Sequence, residues 1–247
     1  VLPALIEGLV QKDGVIYAGS GKGLCAIEAK SGKVLWQNAD WRQNQGSTAT
    51  PSVDNDVLIC STHWGALYGN DAKTGKMLWS MEKEGIRHRS SSAVMRGDFF
   101  YLTSDGSLFL METKTGRILQ QKKLPFNVNV ASSPLVTDKE IIFGTASDGV
   151  VALDRETWAE KWRYRTEKSM IYTAPYVRNP AATVEASPVL VGNMVLVGAS
   201  DGLLYGLDRE SGAVLWSHPM GAPVFASVSV SGNTVFAADY GGNVYAF

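Results

Sequence analysis

The sequence predicts an all-β chain, a β-propeller built from four-stranded antiparallel blades, and three observations carry that prediction. The stretch Gly65-Ala-Leu-Tyr-Gly-Asn-Asp-Ala-Lys-Thr-Gly-Lys-Met-Leu-Trp79 reads as a strand, a Thr-Gly turn and a second strand closing on tryptophan. Relatives of it recur from Gly23 to Trp36, Gly106 to Gln120, Gly149 to Trp162 and Gly202 to Trp216, with an incomplete copy from Gly242 to Phe247. The glycines opening these copies stand 42, 41, 43, 53 and 40 residues apart. A period in the low forties with four short strands per unit is the mark of propeller blades.

Six repeats are visible, and the reading places all of them in a single propeller domain, residues 1–247. The expected blades are 5–41, 42–84, 85–125, 126–166, 184–221 and 222–247, with an insertion at 167–183. The last blade lacks its outer strand; that strand is either missing or supplied from upstream of Val1.

Within each unit the inner strand is rich in small and polar residues, as in Thr48-Ala-Thr-Pro-Ser-Val53, Ala131-Ser-Ser-Pro-Leu-Val136 and Ala186-Ser-Pro-Val-Leu-Val191. Small residues fit where blades converge on a narrow channel. A tight polar turn follows, such as Asp54-Asn55, Gly192-Asn193 or Ser231-Gly232, which suits hairpins needing positive φ. The second strand is nearly continuous in apolar residues (Val57-Leu-Ile-Cys60, Phe99-Phe-Tyr-Leu102, Ile141-Ile-Phe-Gly144), as a strand covered on both faces must be. The turn before the third strand is typically Ser-Asp-Gly. The outer strand ends on a tryptophan large enough to fill the gap between blades and able to donate its indole N–H to a neighbouring carbonyl. Gln120 stands in the tryptophan's place in the third copy, and Trp158 replaces the turn glycine in the fourth.

Composition narrows the function. Of 247 residues, 45% are hydrophobic and 19% charged, enough for a packed core. The formal net charge is −1, so no bulk field favours nucleic acid. No run of eighteen apolar residues occurs, and no transmembrane helix is expected. Cys25 and Cys60 fall at interior positions of two different repeats and read as small buried hydrophobes. His63, His88 and His218 have no metal-ligand spacing. Asp105-Gly106, Asp148-Gly149 and Asp201-Gly202 recur at one place in the repeat and read as turn-formers whose carboxylates bond local backbone. Neither a serine elbow nor a Cys–His pair is present for nucleophilic catalysis.

The pattern Ala/Gly-x-Asp-x-x-Thr/Ser-Gly-x-x-x-Trp, as in Gly69 to Trp79 and Gly206 to Trp216, resembles the tryptophan-docking repeat of pyrroloquinoline-quinone-like propellers and quinoprotein alcohol dehydrogenases. Quinoprotein dehydrogenases commonly have eight blades, a calcium ion, a catalytic Asp and adjacent cysteines. This chain shows six repeats, no adjacent cysteines and no Cys-x-x-Cys-His haem motif. Propellers with the same repeat also include the lipoprotein scaffold of the outer-membrane protein assembly machinery and sensor domains, which carry no quinone. The resemblance therefore implies a bacterial, extracytoplasmic protein of the periplasm or cell surface. The preferred expectation is a non-catalytic module without cofactor. It binds a protein partner or small polar ligand and forms one part of a longer protein. The alternatives are a dehydrogenase using pyrroloquinoline quinone with calcium, and an accessory propeller of an enzyme encoded upstream.

The binding residues are expected where the copies disagree. The turns from outer to next inner strand, and those between second and third strands, should emerge on one face. They carry Arg42, Arg87, His88, Arg89, Asn127, Asn129, Tyr172, Tyr176 and Arg178 from the first set, and His63, Trp64 and Tyr240 from the second. Arginines and aromatic rings together suit a sugar, an anionic small molecule or an extended peptide. A structural ion pair with Glu82 or Glu84 explains Arg87 and Arg89 equally well.

Overall fold

A computed structural model describes residues 6–20, 23–38, 50–62, 64–87, 93–94, 97–128, 131–171 and 181–247. They fall into two compact units, Val1–Leu124 and Pro125–Phe247. Every regular element among the described residues is a strand.

The first unit holds three four-stranded antiparallel sheets. The first comprises β1 (Ile6–Lys12), β2 (Val15–Ser20), β3 (Gly23–Glu28) and β4 (Val34–Asn38). The second comprises β5 (Ser52–Asp54), β6 (Val57–Ser61), β7 (Trp64–Asp71) and β8 (Met77–Arg87); the third comprises β9 (Ala93–Val94), β10 (Asp98–Leu102), β11 (Ser107–Glu112) and β12 (Ile118–Lys123). The second unit continues the pattern with β13 (Leu135–Val136), β14 (Glu140–Gly144), β15 (Val150–Asp154) and β16 (Glu160–Tyr164). Its next sheet is β17 (Val189–Val191), β18 (Met194–Gly198), β19 (Leu203–Asp208) and β20 (Val214–Pro219). A three-stranded sheet of β21 (Ser229–Ser231), β22 (Thr234–Ala238) and β23 (Val244–Ala246) completes it. Each sheet runs in sequence order, and these are the propeller blades that the repeat predicts.

The second strands behave as their composition demands. All five residues of β6 and of β14 are buried, and four of the five in β10 and in β18. The inner strands are shorter than the small-residue segments suggest. β5, β13 and β17 each begin just after a proline (Pro51, Pro134, Pro188), which has no N–H to give a ladder. The serines before Pro134 and Pro188 bond to serine hydroxyls instead. Ser133 donates its N–H to Ser187 Oγ (2.9 Å), and Ser187 donates its own to Ser227 Oγ (3.0 Å), stepping from blade to blade in the second unit.

The tryptophans do what the sequence assigns them. Trp36 donates its indole N–H to Ala72 O (2.9 Å), Trp79 to Thr113 O (2.9 Å) and Trp162 to Arg209 O (2.8 Å). Each ring lies on the turn glycine three residues beyond that carbonyl. A Cβ added at Gly75, Gly116 or Gly212 would come within 2.5–2.6 Å of the indole, and each of these glycines has φ of 67–75°. Only glycine meets both demands at little cost. Trp158 keeps the same turn, its N–H bonded to Asp154 O (2.9 Å), and holds φ 56° while 2% exposed. Cys25 and Cys60 are free thiols and both buried.

Beneath the fourth and fifth blades lies a buried ionic cluster. Glu140 is fully buried, bonded by Lys161 Nζ (2.6 Å) and Thr137 Oγ1 (2.6 Å), with Arg209 Nε at 3.6 Å. Burial pushes its carboxyl up, but the bonds from Lys161 and Thr137 and the Lys161 and Arg209 charges outweigh that and hold it below the usual range.

Candidate functional site

The turn between second and third strands is closed by one hydrogen bond in blade after blade. Thr62 N–H donates to Ala66 O (2.9 Å), Thr103 to Ser107 O (3.0 Å), Ala199 to Leu203 O (3.0 Å) and Asp239 to Asn243 O (3.0 Å). His63-Trp64, which departs from its sister copies in residue type, stands between Thr62 and Ala66, and those two residues make the same bond.

In the standard copies the aspartate finishes that frame. Asp105 accepts from Thr103 Oγ1, from Ser107 N–H (3.3 Å) and from Lys123 Nζ (2.9 Å). Burial raises its carboxyl, but these bonds win and bring it down to about 2. Asp148 departs from the expected local backbone bonding. Its turn has the same length as the others, but the Asp-Gly stands one place later in it, and the carboxylate meets Arg163 (3.1 Å) and the Ser147 hydroxyl (3.1 Å).

Blade two brings two of the sequence-predicted residues together. Trp64 opens β7, Arg87 closes β8, and they are cross-strand partners in register. β8 runs three residues past the expected blade edge at 84, and that extension is what carries Arg87 opposite Trp64. Their backbones are adjacent at one end of the blade, and tryptophan and arginine are residue types suited to a flat or anionic group.

Tyr240 occupies in blade six the repeat place that His63 occupies in blade two. It is 70% exposed, its N–H bonds Pro223 O (2.8 Å), and its ring meets Phe225 edge-on at 5.2 Å. Asn127 is exposed, and its carbonyl accepts from Ala146 N–H (2.7 Å). Arg42, His63, His88, Arg89, Asn129, Tyr172, Tyr176 and Arg178 lie outside the described residues.

Sequence reasoning did not single out the base of the insertion, and its described residues are bonded to both the fourth and the fifth blades. Ser169 N–H and Oγ both donate to Ala181 O (2.9 and 2.6 Å), closing the segment on itself. On the fourth-blade side Gly149 N–H donates to Ala182 O (2.8 Å), Val184 N–H to Thr145 O (2.9 Å) and Thr183 Oγ1 to Ala146 O (2.8 Å). On the fifth-blade side Ser200 N–H donates to Thr183 O (3.0 Å) and Met170 N–H to Ser200 O (2.8 Å). Asp201 then ties the strap down, accepting from Glu167 N–H (2.9 Å), Tyr205 OH (2.6 Å) and Leu203 N–H (3.0 Å). Burial pushes the Asp201 carboxyl up against the lowering effect of those bonds. The available signal was the 53-residue spacing, which located the insertion but not its anchors.

Among the described residues no three His, Cys, Asp or Glu side chains cluster as metal ligands do. The two cysteines sit apart in β3 and β6.

A family model described as outer membrane protein assembly factor BamB matches residues 3–130 and again 123–247. The chain belongs to this family of PQQ-like propellers. BamB of Moranella endobia is 26% identical over 98% of the chain and 63% of its own length. Quinohemoprotein alcohol dehydrogenase ADH IIB of Pseudomonas putida is 30% identical over 66% of the chain and 26% of its own length. In both cases the chain spans less than two-thirds of the curated relative. The crystal structure of BamB from Moraxella catarrhalis superposes with a TM-score of 0.65 at 19% identity, covering 99% of this chain and 83% of that one, which shows the propeller fold. Among the described residues no helix is long and apolar enough to cross a membrane.

Proposed function

We propose that this chain is a non-catalytic propeller scaffold in an outer-membrane protein assembly factor. It works outside the cytoplasm of a bacterium and holds a protein partner at its loop ends. The observation that carries the reading is the family match, which runs through both halves of the chain under that description. The geometry supports it. The repeated outer turns are spent on blade-to-blade docking, while Trp64 and Arg87 are paired at a loop end where the sister copies have neither residue. Loops on a rigid scaffold are where recognition residues concentrate. Arg42, His63, His88, Arg89, Asn127, Asn129, Tyr172, Tyr176, Arg178 and Tyr240 complete the proposed contact set, and a small polar ligand is the alternative occupant.

The test is crosslinking of the chain in the bacterial envelope with mass-spectrometric identification of what is captured. Trp64→Ala with Arg87→Ala should abolish capture of outer-membrane assembly proteins while moving Tm by less than about 2 °C. Capture undiminished by the double substitution places the contact elsewhere.

A second reading, oxidation of an alcohol with a quinone cofactor, is favoured by relatives named quinone alcohol dehydrogenase, such as that of Gluconobacter oxydans. Turnover of an alcohol in a dye-linked assay after adding pyrroloquinoline quinone and calcium would overturn the scaffold reading.

A further inference from the structure

Met170 fastens the strap to the fifth blade twice. It donates its N–H to Ser200 O (2.8 Å), and its thioether lies on Gly202, where an added Cβ would come within 2.6 Å of Met170 Sδ. The glycines that open the third strand in the two neighbouring copies show that this cover is a departure. Gly149 of the fourth blade is covered by main chain, from Tyr164 O to Thr166 N, and Gly242 of the sixth has nothing within 4 Å. Of the three, Gly202 alone is covered by a side chain.

That side chain is also open to solvent, since Met170 is 56% exposed. Other sulfur atoms of the described chain are better shielded. Both cysteine thiols are buried, and so are Met111 and Met220. Met77, which opens β8 in the first unit, is exposed to a similar degree and serves as the control.

A thioether so placed has a defined chemistry. Hydrogen peroxide transfers one oxygen to the sulfur: the O–O bond breaks as the S–O bond forms, the sulfur gives up two electrons to the peroxide, and water leaves. The product, a sulfoxide, turns an apolar side chain into a polar one whose oxygen can only accept hydrogen bonds. The polar groups at Gly202 do not meet that demand. The Ala222 carbonyl is itself an acceptor, and Gly202 N–H is already given to Ala199 O (3.2 Å). The oxidised side chain must turn out to water, which uncovers Gly202 and leaves Met170 held by its backbone bond alone.

We propose that Met170 is an oxidation site whose conversion to the sulfoxide loosens the strap from the fifth blade, and that reduction of the sulfoxide refastens it. The residues that respond are 167–171, tied at Glu167 to Asp201 and at Met170 to Ser200. The site stands in the second unit and Trp64 and Arg87 in the first, so either reading can fail without the other.

The test treats the intact chain with hydrogen peroxide until peptide mapping shows Met170 converted, and then follows hydrogen exchange at single amides. The N–H groups of Met170 and Glu167 should exchange at least about tenfold faster, while those within β18 keep their rates. Methionine sulfoxide reductase supplied with a dithiol should restore slow exchange. Met170→Leu keeps an apolar cover of nearly the same volume and should abolish the response to peroxide, whereas Met77→Leu should leave it intact. Three outcomes each overturn the proposal: Met170 unoxidised when Met77 is fully converted, oxidation of Met170 without faster exchange, or an undiminished response in Met170→Leu. The first two are read on the unaltered protein and need no variant to fold.

Discussion

Blades two and five share their outer turns almost atom for atom and share little at their loop ends. Asp71 Oδ1 accepts from Lys73 N–H (3.0 Å), Thr74 N–H (2.7 Å) and Thr74 Oγ1 (2.8 Å); Asp208 Oδ1 accepts from Glu210 N–H (3.2 Å), Ser211 N–H (2.9 Å) and Ser211 Oγ (2.7 Å). Gly75 and Gly212 then each carry an indole from the preceding blade. At the loop ends, blade two pairs Trp64 with Arg87, whereas blade five commits Asp201 to pinning a strap. The outer turn seats an indole of the preceding blade in blades two, three and five, where it tolerates little change. The loop end carries no shared packing duty, so its residues are free to differ and to recognise something.

The sharpest way to break this contrast is at a turn glycine. Gly212→Val drives a side chain into Trp162 at a position with φ 70°, and should lower unfolding free energy by about 3–5 kcal/mol in urea titration. The same change at Gly232 meets nothing within 4 Å and bears only the cost of φ 58°, about 1–2 kcal/mol. Equal losses at the two sites would mean that backbone strain, not indole docking, sets the requirement for glycine.

An intermediate effect is expected at the strap. Asp201→Ala removes the acceptor of three hydrogen bonds and should cost about 1–3 kcal/mol. Amide exchange should quicken first at Glu167. Burial raises the Asp201 carboxyl, so folding binds a proton there, and the group's contribution to stability falls as pH rises through the window above its ordinary value of 3.8. Asp201→Asn should flatten that part of the profile.

The smallest effect belongs to an ordinary Ser-Asp-Gly turn. Asp105 is held at about 2, so its stabilisation is complete above pH 4 and is lost as pH falls from about 4 towards 2. Asp105→Asn should cost about 1 kcal/mol at pH 7, discounted for solvent screening at a carboxylate one-third exposed, and almost nothing at pH 2. A loss that persists undiminished at pH 2 would make the residue's role steric rather than electrostatic.

Much of the fold was legible because each copy of the repeat annotates the others. Trp79 could be read as a docking plate from its spacing to Gly69 and Thr74-Gly75, and its bond to Thr113 O bears that out. The same internal comparison picked out His63-Trp64 as a departure and located the insertion. It could not show that β8 reaches Arg87, because strand length at an exposed end depends on register with Trp64, 23 positions away in the chain. Nor could it show that Asp201, read as one turn-former among several, also anchors Glu167. That role depends on which loop lies across the turn, and no local pattern encodes the crossing.

The sequence by itself determined the all-β blade, its strand order, the glycine turns and the tryptophan seats, since these repeat at a fixed period and follow from local chemistry. Only the tertiary structure decided which departures meet and where the strap is tied. Those outcomes depend on side chains and backbone groups brought together from distant positions, where the repeat supplies no second copy to compare.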